Sequence, residues 1–207
     1  MKLNPQDLKK IALLTLEHYN LRAEEFWKGT RYHNVSQNIE ALLQHIEGKP
    51  PFTILDFGCG PGRDLKAFVE QGHSVIGLDG AEHFVTMARA HSGREVWRQE
   101  FLKLALPEKH FDGVFANAAL FHVPRQELPR VLLEPQCPIS FFFNWSARPP
   151  GKDWLSVGKR ACVWTSAGAE ALRVNPSPRR SLRSGARVSC RAALKREIAP
   201  ACEDHCS

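Results

Sequence analysis

The pattern of hydrophobic and polar positions changes its period near residue 50. Before that point, apolar residues recur at the spacing of helices, and helical stretches are predicted from Pro5, from about Tyr19 and from Ser36. After it, short apolar runs of strand length alternate with helical segments. The predicted strands are 52–57, 74–78, 95–98, 111–117 and 139–144, and the predicted helices among them are 63–71, 82–91 and 126–132. This alternation predicts an α/β fold with a mainly parallel sheet and helices on both faces.

The regular pattern stops in the last third of the chain. Residues 147–207 show no strand with clean alternation, and several prolines interrupt them. The chain is therefore predicted to divide into an N-terminal helical cap over residues 1–50, a central domain over 51–145, and a basic, disordered tail over 146–207.

Charge and cysteine content change at the same place. Residues 1–133 hold 16 Lys and Arg against 16 Asp and Glu, whereas residues 134–207 hold 12 against 6. Five of the six cysteines lie after residue 133, and eight of the nine histidines lie before it. No apolar run approaches the roughly 18 residues that span a bilayer, and the N-terminus is too polar for a secretory signal. We therefore expect a cytoplasmic protein without a membrane partner.

A glycine-rich segment, DFGCGPG at residues 56–62, lies between a predicted strand and a predicted helix. Glycine has no Cβ and tolerates positive φ, so a ligand at the carboxyl end of a parallel sheet can approach this turn closely. Gly58, Gly60 and Gly62 are each two residues apart, whereas the dinucleotide fingerprint places its last glycine where Arg63 stands. The spacing argues against a nicotinamide oxidoreductase. A glycine-rich turn that binds no ligand is the structural alternative.

An aspartate follows at the tip of the second predicted strand. Asp79 ends the run VIGLD and lies 17 residues past Gly62. A carboxylate at this place can accept hydrogen bonds from both ribose hydroxyls of a nucleoside. A helix-capping aspartate is the alternative, but the combination with the glycine turn favours the nucleoside.

Residues 52–132 resemble the class I S-adenosylmethionine-dependent methyltransferases. The first motif of that family reads D-x-G-x-G-x-G, which matches residues 56–62, and its second motif ends in an acidic residue, which matches Asp79. An acidic residue and its neighbour after the third strand contact the adenine in that family, and Glu100 and Phe101 hold those places. Further matches are FD at 111–112, ANA at 116–118 and FHV at 121–123.

The resemblance implies a Rossmann-like fold and S-adenosyl-L-methionine as the cofactor. The cofactor-binding residues that it implies are Asp56, Gly58, Gly60, Gly62, Asp79, Glu100, Phe101 and Asn117. Methyl transfer needs little acid–base chemistry, because proximity and in-line orientation do most of the work. His122 is the candidate catalytic base where the acceptor must lose a proton, and a histidine packed at a strand end is the alternative. Tyr19, Arg22 and Trp27 are expected to cover the ligand, with ordinary helix packing as the alternative.

The chain departs from the family after residue 132. The segment LEPQC at 133–137 stands where the family usually carries L-K-P-G-G, and the two strands that wall the acceptor site are not found. The C-terminal strands are therefore predicted to be missing or degenerate. Residues 133–207 are interpreted as a native fold, an alternative exon or a shifted reading frame, and the coding DNA would distinguish these.

The predicted function is methyl transfer from S-adenosylmethionine to a small-molecule acceptor, because the neutral residues 1–133 show no basic face for nucleic acid. One alternative is a protein that binds the cofactor but is catalytically impaired by the loss of the acceptor wall. Another is an RNA methyltransferase that uses the basic tail. No metal is predicted, because Cys202 and Cys206 fit only half of a zinc site. The acceptor and the oligomeric state are left open.

Overall fold

The computed structural model describes residues 2–133, 140–145, 160–165 and 168–173. The strands are β1 (Thr53–Phe57), β2 (Ser74–Asp79), β3 (Val96–Arg98), β4 (Gly113–Asn117), β5 (Ser140–Trp145), β6 (Arg160–Thr165) and β7 (Gly168–Arg173). The helices are α1 (Pro5–Leu21), α2 (Ala23–Thr30), α3 (Ser36–Leu43), α4 (Arg63–Glu70), α5 (Glu82–Ser92) and α6 (Leu128–Leu133), with 3-10 turns at Leu120–His122 and Arg125–Glu127.

The first helix begins where the sequence predicts. The side-chain oxygen of Asn4 accepts hydrogen bonds from the backbone N–H groups of Gln6 and Asp7, both at 2.9 Å, and Pro5 takes the first helical position. The helix runs on past Tyr19, so the second predicted stretch does not begin there. The chain turns at Arg22 instead, and α2 follows.

One sheet contains all seven strands of the described residues, in the order β3-β2-β1-β4-β5-β6-β7. β1 pairs in parallel with β2 on one side and with β4 on the other, and β3 and β5 extend the sheet in parallel. The strand order reverses at β1, which creates a crevice at the carboxyl ends of β1 and β4. The predicted fold class, a Rossmann-like and mainly parallel sheet with flanking helices, is confirmed.

The prediction that the C-terminal strands are missing or degenerate is wrong. β6 and β7 form an antiparallel hairpin beside β5, so the sheet extends past the predicted domain boundary at residue 145. Backbone hydrogen bonds and a short connection hold a hairpin together, and neither requires clean alternation of apolar and polar side chains. Val163, Trp164 and Thr165 give β6 a high β propensity, but the alanines of β7 obscure its pattern.

Of the predicted tail, residues 160–165 and 168–173 are therefore strand. The rest of 146–207, including Cys202 and Cys206, lies outside the described residues. The division into a cap, a domain and a tail otherwise stays a prediction.

Helices cover both faces of the parallel part of the sheet. On one face, Ile54 and Phe115 pack with residues of α3, α4 and α5 such as Leu42 and Phe68. On the other face, the core includes Leu55, Phe57, Leu78, Val114 and Val131. Burial on both faces explains why β1 reads as a continuous apolar run rather than an alternating one. Within the described part of the chain, we find no helix with both the length and the apolar character needed to cross a bilayer.

Close packing of α4 against α5 fixes the end of the glycine turn. Gly62 precedes α4 with a φ of +90°, and a Cβ added there would lie 2.8 Å from the Cα of Ala88 on α5. Backbone at that distance cannot yield as a flexible side chain can. Gly62 thus serves helix packing in addition to the backbone conformation of the turn.

We expect Gly62→Ala to lower the free energy of unfolding by ~2–4 kcal/mol, from positive φ and overpacking together. Gly72→Ala is the matched control, because Gly72 also has a positive φ, +85°, but no described atom lies within 4 Å of its added Cβ. The control should lose only ~1–2 kcal/mol from the backbone conformation. Chemical denaturation of both variants measures the difference, and equal losses would show that contact with Ala88 contributes nothing.

Candidate functional site

The carboxyl ends of β1 and β2 meet at the glycine turn. After β1, the N–H groups of Gly58 and Cys59 donate to the carbonyl oxygen of Leu78 at 2.7 and 3.1 Å. The N–H of Gly60, the next residue of the turn, donates to Oδ2 of Asp79 at 3.0 Å. The turn is thus held against the end of β2 by backbone and carboxylate acceptors together.

Gly60 is the position of the turn that is open to a ligand. Its φ is +53°, and the one described atom within 4 Å of an added Cβ is Cε1 of Phe26, at 3.8 Å. The Cβ position of Gly58, by contrast, is filled by Ala119 and Phe101. Of the three predicted glycines, Gly58 and Gly62 therefore face protein atoms, and Gly60 faces open space beneath α2.

Asp79 is a buried carboxylate at the tip of β2, with 8% of its surface exposed. In addition to the Gly60 contact, its Oδ1 accepts a hydrogen bond from the N–H of Ala81 at 2.8 Å. Burial raises the pKa of Asp79 to about 6, and hydrogen bonds from the backbone N–H groups of Ala81, Gly60 and Gly80 oppose this effect. Asp79, the carboxylate predicted to bind the ribose, is therefore in direct contact with the predicted glycine turn.

Asp56, the first residue of the motif, has a buried oxygen without a partner. Its exposure is 1%, and Oδ2 has no hydrogen bond within the described residues. Burial and the nearby carboxylate of Asp64 raise the pKa of Asp56, whereas Arg63 acts to lower it. Buried polar atoms nearly always have a partner, so this oxygen fits a donor that a bound ligand would bring.

A network that the sequence analysis missed surrounds Asp64, the second residue of α4. Arg63 contacts both carboxylate oxygens, with distances of 2.6 Å from Nε and 2.9 Å from Nη2. Asn117 donates to Oδ2 of Asp64 at 3.0 Å and accepts from Nδ2 of Asn38 at 3.1 Å. Asn117, predicted to bind the cofactor, is therefore engaged in this network. The signal was the pair Arg63-Asp64 directly after the glycines.

Glu100 and Phe101, the predicted adenine contacts, follow β3. The ring of Phe101 stacks on Phe57 of β1 with centroids 4.4 Å apart, which brings it to the glycine turn beside Gly58. Glu100 is half-buried and pairs with Lys103 at 3.4 Å. An aromatic face and a carboxylate thus lie next to each other at the edge of the same crevice.

The helical cap places an aromatic cluster beside the site. Tyr19 of α1 packs with Phe26 of α2 and Phe84 of α5. Its hydroxyl shares a hydrogen bond with Nε2 of His122 at 3.0 Å. Burial, followed by the charge of His18, lowers the pKa of His122 to about 4. Burial, followed by the charge of Asp79, raises the pKa of Tyr19.

The other predicted covering residues lie elsewhere. Trp27 packs on His91 of α5 with ring centroids 4.7 Å apart, and Arg22 is exposed in a loose ion pair with Glu25. Cys59 is a buried thiol whose pKa is raised by burial and by Asp56, so it does not suit nucleophilic chemistry. Among the residues that the structure describes, no group of three His, Cys, Asp or Glu could hold a metal.

The arrangement is suited to bind a cationic nucleoside. The carboxyl group of Asp79 contacts the open position at Gly60, and the rings of Phe26 and Phe101 lie near Gly60 and Gly58. Opposite charge and desolvation strengthen such contacts. The geometry supplies positioning rather than a nucleophile.

Comparison with known proteins agrees with this reading. Residues 54–135 match the family described as "Methyltransferase domain". An uncharacterized methyltransferase of Geobacillus sp. (strain WCH70) is 32% identical over 98 residues, which is 46% of this chain and 46% of that protein. The 24-methylenesterol C-methyltransferase 2 of Oryza sativa subsp. japonica is 31% identical over 106 residues, which is 47% of this chain and 28% of that protein.

Among solved structures, the fold is similar to magnesium protoporphyrin IX methyltransferase from Synechocystis PCC 6803 with bound S-adenosylmethionine. The TM-score is 0.53 at 14% identity, over 67% of this chain and 77% of that one. The chain spans less than half the length of the two curated relatives. Residues 54–135 are thus similar in sequence to methyltransferase domains, and the fold is similar to that of a Rossmann-like methyltransferase.

Proposed function

We propose that this protein binds S-adenosylmethionine at the glycine turn and transfers its methyl group to a small-molecule acceptor. The observation that carries the proposal is the contact between Gly60 and Asp79. Gly60 is the one motif glycine with an open Cβ position, and its N–H binds the carboxylate that a ribose would also use. A nucleoside resting on Gly60 would therefore meet Asp79 directly.

The residues present fit each part of this cofactor. Asp79 would hold the ribose hydroxyls, Phe101 and Glu100 would hold the adenine, and Oδ2 of Asp56, which has no partner among the described residues, would face the cofactor's ammonium group. When bound, the cofactor supplies a methyl group on a positively charged sulfonium, which is already a good leaving group. The chain's own contribution is to bind, orient and exclude water.

His122 and Tyr19 are the proposed groups on the acceptor side. With a pKa of about 4, the imidazole of His122 is neutral near pH 7 and able to take a proton, although it is a weak base. Its hydrogen bond to Tyr19 fixes the orientation of the ring against α1. We propose that His122 acts as a base for acceptors that lose a proton and as a packing residue for those that do not.

We propose a small, uncharged or weakly polar acceptor and a cytoplasmic location. Two observations support the first point: Phe121, beside His122, leaves 58% of its surface exposed, and one relative is named as a sterol methyltransferase. The proposed cytoplasmic location rests on the supply of the cofactor, because a charged sulfonium does not cross a bilayer readily. Cofactor binding without turnover would favour the catalytically impaired alternative. Tight, salt-dependent RNA binding would favour the RNA methyltransferase alternative.

Calorimetry should detect binding of S-adenosylhomocysteine and no binding of NAD. Gly60→Ala should weaken the affinity at least about tenfold, because one lost contact of ~1.4 kcal/mol already changes an equilibrium by that factor. Gly72→Ala has the same sign of φ far from the turn and should bind like the wild type. Binding of NAD in place of the methionine nucleoside would contradict the proposal.

Affinity for S-adenosylhomocysteine should rise with pH through the pKa of Asp79, about 6. The ionised carboxylate accepts ribose hydrogen bonds, and its ionised fraction grows about tenfold between pH 5 and 7 for such a pKa.

The contribution of Asp79 to the stability of the ligand-free protein changes with pH in the opposite direction. Because this pKa is raised on folding, the folded state holds the proton more tightly, and the contribution of Asp79 to stability falls as pH rises from about 4 to 6.

Asp79→Asn tests this assignment. The amide cannot ionise, so the rise in affinity between pH 5 and 7 should disappear, and the affinity at pH 7 should fall by about 10- to 100-fold, as for a charged hydrogen bond of ~1.5–3 kcal/mol. Asp112→Asn, at an exposed position before β4, should keep the wild-type pH profile. An unchanged profile in Asp79→Asn would place the titrating group elsewhere.

A further inference from the structure

The C-terminal end of α2 lies against the glycine turn. Its last residue, Thr30, accepts two hydrogen bonds at its carbonyl oxygen: one from the N–H of His33 at 3.0 Å, and one from Nη1 of Arg63 at 3.0 Å. The last carbonyls of a helix lack partners within the helix and carry partial negative charge, so a guanidinium suits this position. Arg63 therefore ties the helical cap to the first residue of α4.

The same guanidinium is fixed from the other side by Asp64. Nε and Nη2 of Arg63 contact the two carboxylate oxygens, a paired geometry that fixes the plane of the guanidinium. The ion pair is largely out of solvent, with side-chain exposures of 23% for Arg63 and 8% for Asp64. The bidentate geometry fixes the relative orientation of the two side chains, and burial reduces the screening of the pair by salt.

Asp64 in turn connects two further elements. Asn117, at the end of β4, donates to its Oδ2, and Asn38 of α3 donates to Asn117. One continuous hydrogen-bonded chain therefore runs from α2 through Arg63 and Asp64 to the crevice end of β4. A change at Arg63 therefore affects both the helical cap and the crevice end of β4.

The part of the cap that Arg63 holds is also the part that covers Gly60. Phe26 lies one helical turn before Thr30, and its ring is the described group nearest to the open Cβ position of Gly60. The hydroxyl of Thr30 donates to the carbonyl of Phe26 at 2.7 Å, which joins these two residues further. Fixing Thr30 therefore fixes the distance between the ring of Phe26 and the glycine turn.

We infer that Arg63 is a positioning residue that couples the helical cap to the cofactor turn, so that α2 closes over Gly60 and Asp64 is oriented in one event. This rests on the proposed function, because the occupant of the covered space is the proposed cofactor. The position of Arg63 is the one that the dinucleotide fingerprint gives to glycine. Here the side chain at that position holds the cap.

The test compares Arg63→Lys and Arg63→Met with a matched control, Arg31→Lys, at an exposed arginine just beyond α2. A lysine keeps the charge but cannot contact both Asp64 oxygens and Thr30 at once. The probe is S-adenosylhomocysteine, measured by calorimetry and by amide hydrogen exchange of residues 23–30 with and without the probe. Circular dichroism and the melting temperature of each variant report on folding.

In the wild type and in Arg31→Lys, the probe should slow exchange across residues 23–30. In Arg63→Lys the affinity should fall about tenfold, and in Arg63→Met further, with the protection of α2 on binding lost in both. The melting temperature of both variants should fall, because Asp64 loses its paired guanidinium, while circular dichroism still shows a folded protein at the temperature of the measurement. Retained affinity and retained protection in the folded variants would overturn the inference. If Arg63→Lys and Arg63→Met both fail to fold, Asp64→Asn replaces them, because it keeps the shape of the side chain but removes its charge. Wild-type affinity and wild-type protection of α2 in Asp64→Asn would also overturn the inference.

The inference and the proposed function fail in different ways. If the wild type does not bind the probe, the proposed function is wrong. Faster exchange of residues 23–30 in Arg63→Lys than in the wild type, both without the probe, would then still support the attachment of the cap by Arg63. If the wild type binds and protects α2 while Arg63→Met does the same, the function stands and the coupling is wrong.

Discussion

Three carboxylates, Asp56, Asp64 and Asp79, are removed almost entirely from solvent around one short turn of the chain. Taking a charge out of water costs several kcal/mol unless donors replace the water. Asp79 accepts hydrogen bonds from the N–H of Gly60 in the turn and from the N–H of Ala81 just after β2, and Asp64 accepts hydrogen bonds from Arg63 and Asn117. Asp56 retains an oxygen without a partner in the described residues. The two carboxyl groups that have partners hold the turn in place, and Oδ2 of Asp56 offers a hydrogen-bond acceptor to a donor on a bound ligand.

The attachment of the helical cap follows from the same burial of charge. α1 has no fully buried residue, and its Leu16 and Tyr19 pack, partly buried, against a small cluster with Phe84. Polar contacts to the site add to this packing: Tyr19 to His122 and the carbonyl of Thr30 to Arg63. A cap held by a small cluster and a few polar contacts opens at a smaller cost in free energy than one held by a large core. Ligand entry beneath α2 is therefore compatible with a rigid sheet below it.

The sequence was sufficient for those features that local pattern determines. A periodic pattern, a cap or a motif in the sequence predicts each of these features. They are the glycine turn, the tip of β2 at Asp79, the capped start of α1 and the five parallel strands. It did not predict the hairpin of β6 and β7, because pairing through backbone atoms leaves a weak trace in side-chain type. The assignment of Asn117 to the cofactor stays a prediction. Only the three-dimensional arrangement shows that Asn38 and Asp64, 26 residues apart in sequence, converge on that amide.

The spacing of the glycines has a structural consequence for everything above the turn. In the dinucleotide fingerprint the last glycine permits close packing of helix and sheet. Here Gly62, one residue earlier, already provides the close approach, against Ala88 of α5. Helix packing therefore does not require a glycine at the next position, and a large side chain is tolerated there. Arg63 occupies it and extends upward to Thr30 rather than into the core. A shift of one glycine by one residue thus turns a packing position into the attachment point of the cap, which ties the closure of the site to the motif that binds its ligand.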